Sequence, residues 1–141
     1  MERSFHHLLM SGHMLLQKRM LARGKEAGLT MGQPKVLDYL GSHNGVSQRQ
    51  IAAACCIEPA TLTSLLNRME ERGLVERRML HGNRRTSYVF LTELGRTLQQ
   101  QVERDFAVLE AAAFDGVTEE ERDTVLRVLE KVCGNLRTEE Q

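Results

Sequence analysis

Two helical patterns, separated by only a few residues, lie near the middle of the chain and limit the folds that it can adopt. The stretch SQRQ, Ser47 to Gln50, fits a capping box that opens a short helix. Pro59 suits the first turn of a longer helix, Glu58 can cap that helix, and Gly73 is a natural stop. Two helices joined by so short a break predict a helix-turn-helix.

The second helix of this pair has one apolar face and one face of small polar side chains. The apolar face consists of Leu62, Leu65, Leu66 and Met69. The opposite face consists of Ala60, Thr61, Ser64, Asn67 and Arg68, with Thr63 at the boundary. Small side chains allow close approach to a DNA major groove, where hydroxyl, amide and guanidinium groups meet base edges and phosphates. For an isolated helix a merely solvated polar face is the commoner explanation, so the DNA-binding interpretation depends on the neighbouring elements.

Downstream of the helix pair, the sequence predicts a β-hairpin with a basic tip. The stretches LVERRML and SYVFLT are rich in strand-forming residues, and HGNRRT joins them. This loop is longer than a two-residue turn, so Arg84 and Arg85 should project from the body of the protein. An arginine on such a hairpin can enter the adjacent minor groove, where narrow A·T-rich stretches concentrate negative potential. Arg84 and Arg85 are therefore predicted DNA contacts, and a solvated charged loop is the alternative.

Helical patterns also flank this central segment. Residues 2–23 are amphipathic, and TMGQ, Thr30 to Gln33, fits a capping box before a further helix. A long helix is predicted from Thr92 to about residue 114, and TEEE, residues 118–121, fits a third capping box before the last helix. The apolar surface of these helices is larger than the rest of so small a protein can cover. We therefore expect the terminal helices to pack against a second copy of the chain.

Charge is distributed unevenly along the 141 residues, although the formal net charge is zero. Residues 47–96 hold 8 basic and 5 acidic side chains, whereas residues 97–141 hold 5 basic and 11 acidic ones. This asymmetry favours a polyanionic partner for the middle of the chain. No apolar run approaches the roughly 20 residues of a transmembrane helix, and no signal-peptide pattern opens the chain. The sequence thus predicts a cytoplasmic protein without a membrane partner.

The sequence as a whole resembles the MarR family of winged-helix transcriptional regulators. The resemblance rests on LTMGQPKVLDYL, on VSQRQIAAACCIEPATLTSLLNRMEERGLVER and on NRRTSYVFLTELG. It implies a mostly α fold with a small β-hairpin wing, in which residues 30–92 form a winged helix-turn-helix DNA-binding lobe. Residues 1–28 and 93–141 would be the long dimerisation helices, so that residues 1–141 make a single domain.

The resemblance also implies a function: a homodimeric, sequence-specific DNA-binding regulator, usually a repressor of a pseudo-palindromic operator and often released by a small phenolic or other anionic effector. By position, Arg85 matches the family's wing-tip minor-groove arginine, and Arg84 a phosphate or secondary contact. The family often has Asp two residues before that arginine, where this chain has Asn83, and an amide accepts a hydrogen bond more weakly than a carboxylate. The residues expected to hold backbone phosphates are Ser47, Gln48 and Arg49.

Two alternatives remain open at this level. A winged-helix protein-interaction module without DNA binding would expose an apolar surface on the longer helix or the hairpin. A redox-responsive regulator would use Cys55 or Cys56, because oxidation beside the turn would disturb DNA binding. No cofactor is predicted, and the histidines lack the acidic or cysteine companions of a metal site. The sequence shows no catalytic triad, phosphate-binding glycine loop or pair of carboxylates in an apolar setting, so no enzyme is predicted.

Overall fold

The computed structural model of the protein describes residues 3–80, 82 and 85–139. Its helices are α1 (Phe5–Gly24), α2 (Gln33–Ser42), α3 (Gln48–Cys55), α4 (Pro59–Glu71), α5 (Glu93–Ala113) and α6 (Glu119–Glu139). Its strands are β1 (Val46–Ser47), β2 (Val75–Arg78) and β3 (Tyr88–Leu91). The mostly α fold with a small β wing is therefore confirmed.

The chain divides into two compact units, Met1–Ala107 and Val108–Gln141. The first contains α1 to α4, the strands and most of α5, and the second contains the end of α5 and α6. The division into a 30–92 lobe and dimerisation helices within one domain stays a prediction. In the described part of the chain, every helix is too short or too polar to span a bilayer.

The core of the first unit is built around the helix-turn-helix. Its almost completely buried apolar side chains are Val36, Leu37, Leu40, Ile51, Leu62, Leu66, Met69, Leu74, Val75, Val89 and Val102. α4 supplies three of them, because its apolar residues recur at helical spacing and so share one face. The burial of that face determines which side of α4 stays outside.

The predicted capping box at α6 is complete, and at α3 the hydrogen bond to the N-cap side chain is present, while the Gln50 side chain donates to the hydroxyl of Tyr39. Ser47 Oγ accepts a hydrogen bond from the amide of Gln50 at 3.1 Å. At α6 the bonding is reciprocal: the Glu121 amide donates to Thr118 Oγ1 at 3.1 Å, and the Thr118 amide donates to Glu121 Oε1 at 3.0 Å. The bonds from Thr118 also hold the pKa of the Glu121 carboxyl below its ordinary value. Both helices therefore begin where the local sequence specifies.

Two other helix starts differ from the predictions. The N-cap of α2 is Gly32, with φ of 89°, and not Thr30. Half of the expected box survives, because the Thr30 amide donates to Gln33 Oε1 at 3.1 Å. Glu58 occupies the N-cap position of α4, but within the described residues its side chain makes no capping hydrogen bond. Pro59 opens α4 as predicted, since its fixed φ suits a first turn.

The wing is part of a three-stranded antiparallel sheet with the order β1-β3-β2. Val46 pairs with Val89, and Val75 pairs with Leu91. The sequence predicted the β2–β3 hairpin but not β1, which is two residues long and therefore shows no alternation. Ser47 ends β1 and also caps α3, so the base of the wing is joined directly to the helix-turn-helix.

The other side of the wing is held against the start of α5. Thr92 accepts a hydrogen bond from the Gly95 amide at 3.0 Å, and its own amide donates to the carbonyl of Leu74 at 3.1 Å. A Cβ at position 95 would overlap the carbonyl oxygen of Leu74, so this close approach requires glycine. The wing is thus fixed at its base to both α3 and α5.

Candidate nucleic-acid interface

α4 presents outward the polar face that its sequence predicts. Leu62, Leu66 and Met69 are fully buried, and Leu65 is nearly so. The α4 residues that were predicted to face DNA are all exposed: Ala60, Thr61, Thr63, Ser64, Asn67 and Arg68. The two-faced character of α4 is therefore confirmed, while contact between these residues and DNA stays a prediction.

The start of α3 is connected to α4 through side chains. Gln48 Nε2 donates to Thr63 Oγ1 at 2.7 Å, and Thr63 Oγ1 donates to the carbonyl oxygen of Pro59 at 3.0 Å. A hydroxyl has a single proton, so Thr63 acts as the acceptor for Gln48. Arg49 follows in an exposed position, and Ser47 is half-buried as the cap. The first turn of α3 is thereby held beside the first turns of α4.

α3, α4 and the wing enclose a groove of about 430 Å³. Four predicted site residues line it: Gln48, Arg49, Thr63 and Arg85. Arg77 of β2 lines it as well, so three arginines from three different elements meet in one concavity. The exposed residues of α4 that do not line the groove lie on the outer surface of that helix. Cations gathered in a concave surface raise the local positive potential and attract a polyanion.

Arg77 also belongs to this surface, although it was not among the predicted DNA contacts. Its Nη2 lies 2.5 Å from Asn67 Oδ1 and 3.1 Å from Glu70 Oε1, and its backbone amide donates to Glu70 Oε2 at 3.1 Å. The hydrogen bonds and charge of Arg77 hold the pKa of Glu70 below its ordinary value. Alternation along β2 was the available signal, because Arg77 follows the buried Val75 by two positions and so lies on the same face.

The described residues include only part of the wing tip. Arg85 is exposed and lines the groove. Arg84 and Asn83 lie outside the described residues, so the roles expected for them stay predictions.

Arg78, the neighbour of Arg77, has its guanidinium carbon 4.4 Å from the centroid of the Phe90 ring. The two adjacent arginines of β2 therefore have separate surroundings, as opposite faces of a strand require.

The two adjacent cysteines also differ in their surroundings. Cys55 is buried, and burial raises the pKa of its thiol above the ordinary value. Cys56 is exposed and ends α3 in a left-handed conformation, with φ of 55°. Oxidants attack the thiolate, so burial makes Cys55 the less reactive of the pair. Any redox response in this turn would fall to Cys56.

A second, mainly apolar cavity of about 230 Å³ lies within the first unit. Its lining residues are His13, Leu16, Gln17, Met20, Leu21, Gly32, Pro34, Lys35 and Phe106. Lys35 supplies a positive charge, and His13 and Gln17 supply polar groups. A concave apolar surface with a few polar groups is the usual form of a small-molecule site.

α1 and α6 each keep a group of large apolar side chains exposed. On α1 these are Phe5, Leu8, Leu9, Met10, Met14 and Leu15, and on α6 they are Val125, Leu126, Val128 and Leu136. Groups of exposed apolar side chains mark surfaces that bind other proteins. Each of the two helices therefore has the surface that an interface with a second copy of the chain requires.

Sequence comparison relates this arrangement to known regulators. The sequence profile of the MarR family matches residues 29–87, which include α2 to α4 and most of the wing. The HTH-type transcriptional regulator YwhA of Bacillus subtilis (strain 168) is 28% identical over 98 residues, covering 70% of each chain.

Solved structures show the same fold over almost the whole chain. A MarR family transcriptional regulator from Listeria monocytogenes, solved as a complex with 26mer DNA, gives a TM-score of 0.92 at 23% identity, covering 97% of this chain and 91% of that one. The transcriptional regulator PA3341 gives a TM-score of 0.87 at 27% identity, covering 96% of this chain and 99% of that one. The likeness therefore includes the terminal helices, which lie outside the part matched by the family profile.

Proposed function

The chain belongs to the MarR family of transcriptional regulators, and from this premise we propose that it is a homodimeric, sequence-specific repressor of a pseudo-palindromic operator. Its family places it among DNA-binding regulators and not among enzymes. The observation that carries the proposal is the groove lined by Arg49, Arg77 and Arg85, which lies beside the polar face of α4. A helix of small polar side chains flanked by cations matches the surface and charge of a DNA major groove.

Each part of this surface has a proposed role. The exposed residues of α4 enter the major groove: Ala60, Thr61, Ser64, Asn67 and Arg68. Ser47, Gln48 and Arg49 bind backbone phosphates at the start of α3, where the helix dipole adds positive potential. Arg85 reaches the minor groove, and Arg84 makes a phosphate or secondary contact. Thr63 lies at the edge of the contact, where its hydrogen bond from Gln48 supports a positioning role.

A second copy of the chain completes the DNA-binding unit. The exposed apolar residues of α1 and of α6 support this pairing, because water contact with such surfaces is unfavourable. A two-fold dimer presents its two α4 helices to successive major grooves, roughly 34 Å apart. The operator should accordingly contain two half-sites in inverted order. A repressor acts in the compartment that holds its DNA, so we assign the protein to the cytoplasm.

The apolar cavity beside α1 is the proposed site for an effector. Lys35 offers a charge to an anionic group, and the apolar lining suits an aromatic ring. A ligand that prefers a dimer with the wrong spacing of its α4 helices would shift the population away from DNA. Displacement of labelled operator by aromatic carboxylates tests this role, and Lys35→Met should raise the concentration that is needed.

The function as a whole is tested by selecting bound duplexes from a random DNA pool. We expect the selected sequences to contain an inverted repeat whose half-site centres are about 10 base pairs apart. Affinity for the selected site should then fall steeply between 50 and 200 mM salt, as roughly expected for a protein that displaces counterions from phosphates. Absence of binding to every duplex at low salt would contradict the proposal.

The same titration tests the alternative of a protein-interaction module. Such a module would bind no duplex at low or at high salt. The polar outer face of α4 supports the DNA-binding alternative, because a docking helix would expose apolar groups there. The redox alternative now concerns Cys56 in particular. It requires that mild peroxide changes operator binding and that Cys56→Ser abolishes the change while Cys55→Ser does not.

A further inference from the structure

The contact between Arg77 and Asn67 fixes the orientation of one amide on the outer face of α4. Arg77 Nη2 lies 2.5 Å from Asn67 Oδ1. A guanidinium group can only donate hydrogen bonds, so the atom of the amide that faces it must be the oxygen. The chemistry of the pair therefore assigns the oxygen and nitrogen of Asn67 without ambiguity.

Arg77 is itself held in place. Its guanidinium group also donates to Glu70 Oε1 at 3.1 Å, and its backbone amide donates to Glu70 Oε2 at 3.1 Å. Only 20% of its side chain is exposed, whereas Asn67 is an exposed residue. Glu70 and Asn67 are one helical turn apart on α4, so a single arginine from β2 bridges two positions of that helix. The bridge makes reorientation of the Asn67 amide unfavourable.

The amide group is planar, with its oxygen and nitrogen on opposite sides of Cγ. When Oδ1 faces Arg77, Nδ2 with its two protons points away from β2. We propose that Arg77 is a specificity-determining residue, which fixes Asn67 as a hydrogen-bond donor so that α4 selects guanine at the base it meets. This inference rests on the proposed function, because it requires α4 to lie in the major groove.

The choice of guanine follows from the pattern of groups in the major groove. Guanine presents two neighbouring acceptors, N7 and O6, whereas adenine presents one acceptor beside an amino donor. Cytosine presents an amino donor, and thymine presents a single acceptor beside its methyl group. An unrestrained asparagine pairs with adenine through both its oxygen and its nitrogen. Since Arg77 holds the oxygen of Asn67 toward β2, the amino group on the other side of the amide is best matched by guanine.

The amide of Gln48 has the opposite orientation to that of Asn67: its nitrogen, and not its oxygen, faces the neighbouring side chain. The proton of Thr63 goes to the carbonyl oxygen of Pro59, so Gln48 bonds to Thr63 through its nitrogen, and its oxygen faces the other way. The amides of Gln48 and Asn67 thus have opposite orientations, and a neighbouring side chain sets the orientation of each. Neither orientation can be deduced from the identity of the amide residue alone.

The proposal is tested by the base preferences of the intact dimer. Duplexes are selected from a random pool with the wild-type protein, with Asn67→Ala and with Asn67→Asp. The wild type should enrich guanine at one position of each half-site by at least about fivefold. This factor is the lower limit of the discrimination that one specific base contact provides. Asn67→Ala should lose the preference at that position only. Asn67→Asp keeps an oxygen for Arg77 but replaces the donor with an acceptor, and should therefore change the preference to cytosine.

A second set of variants isolates the role of Arg77. Arg77→Met should relax the preference so that adenine and guanine are selected alike, because the amide can then turn over. Arg77→Lys should retain guanine, since lysine also only donates. Arg78→Met is the matched control: it removes the same charge from the next residue, whose guanidinium group lies over Phe90, and should leave the preference unchanged. Thermal unfolding verifies that each variant is folded.

The outcomes separate this inference from the proposed function. If Asn67→Ala or Arg77→Met selects the same bases as the wild type, with a defined operator, the donor role of Asn67 is wrong and the repressor function stands. If Asn67→Asp keeps guanine, the inference is also wrong. If the wild type enriches no sequence and binds no duplex at low salt, the proposed function itself fails.

Discussion

α4 and α6 are both amphipathic helices, but they differ in what covers their apolar faces. Leu62, Leu66 and Met69 of α4 have no exposed surface. Val125 and Leu126 of α6, by contrast, are 42% and 48% exposed. The chain itself thus completes the packing of α4, whereas α6 keeps an apolar surface for a partner. The exposed face of α4 is polar, so the surface proposed for DNA and the surface proposed for a second copy are chemically distinct.

This difference means that changes in the two helices should have separate consequences. A change in the buried face of α4 should affect folding at any protein concentration. A change in the exposed face of α6 should affect assembly, which depends on concentration. A change at the DNA-facing surface should affect neither. Single substitutions in each of the three surfaces distinguish these outcomes.

Leu66→Ala should produce the largest loss. Leu66 is completely buried, so its truncation removes apolar contacts and leaves a cavity in the core. We expect the free energy of unfolding to fall by roughly 2 to 5 kcal/mol, by the same amount at low and high protein concentration. Chemical denaturation at two concentrations measures the effect. A loss below about 1 kcal/mol would mean that the buried face of α4 is wrongly assigned.

Arg85→Ala should weaken operator binding without changing folding or dimerisation. Arg85 is exposed and lines the groove, and an arginine in the minor groove contributes through the negative potential there. We expect a loss of about 1 to 3 kcal/mol in binding free energy, measured by titration of labelled operator. Arg104→Ala, which removes an equal charge from the exposed surface of α5, is the control and should bind normally. Unchanged affinity of the Arg85 variant would remove that residue from the interface.

Leu126→Ala shortens an exposed apolar side chain of α6, as Leu66→Ala shortens a buried one of α4. Leu126 is about half exposed in the single chain, so its truncation should hardly alter the stability of a protomer. Burial of its remaining surface by a partner should contribute about 1 kcal/mol per protomer. Because the change occurs twice in a two-fold dimer, the dimer dissociation constant should rise roughly 30-fold. Sedimentation over a concentration series measures it, and an unchanged constant would exclude Leu126 from the interface.

Cys56→Gly should have the smallest effect and the opposite sign. Cys56 has a left-handed backbone conformation, which is unfavourable for a residue with a Cβ and natural for glycine. Glycine loses more chain entropy on folding, so we expect a net gain of at most about 1 kcal/mol in stability. Cys56→Ser keeps the backbone strain and removes the thiol, and under reducing conditions it should unfold at the wild-type temperature. Lower stability of the glycine variant would show that the Cys56 side chain makes stabilising contacts.

Local sequence patterns predicted most of the elements correctly. Apolar spacing identified the buried face of α4, because side chains three and four residues apart share one side of a helix. The capping residues Ser47 and Thr118 located the starts of α3 and α6, because their hydrogen bonds join residues only three positions apart. The start of α2 was less well predicted, since Gly32 and not Thr30 occupies its N-cap.

The parts that the sequence did not predict depend on contacts between distant elements. β1 is recognisable only when Val46 pairs with Val89, because two residues carry no periodicity of their own. Arg77 becomes part of the candidate site only when β2 packs beside α4 and brings its guanidinium group to Asn67 and Glu70. The same packing brings Arg49 and Arg85 into one groove.

The helices, the two-faced character of α4 and the basic hairpin follow from the amino-acid sequence, because they depend on residue spacing and on hydrogen bonds within a few positions. Which arginines meet, and in which direction the Asn67 amide points, follow from the tertiary packing. Those properties depend on the distance between atoms of separate elements, and that distance is set by the packing of the shared core.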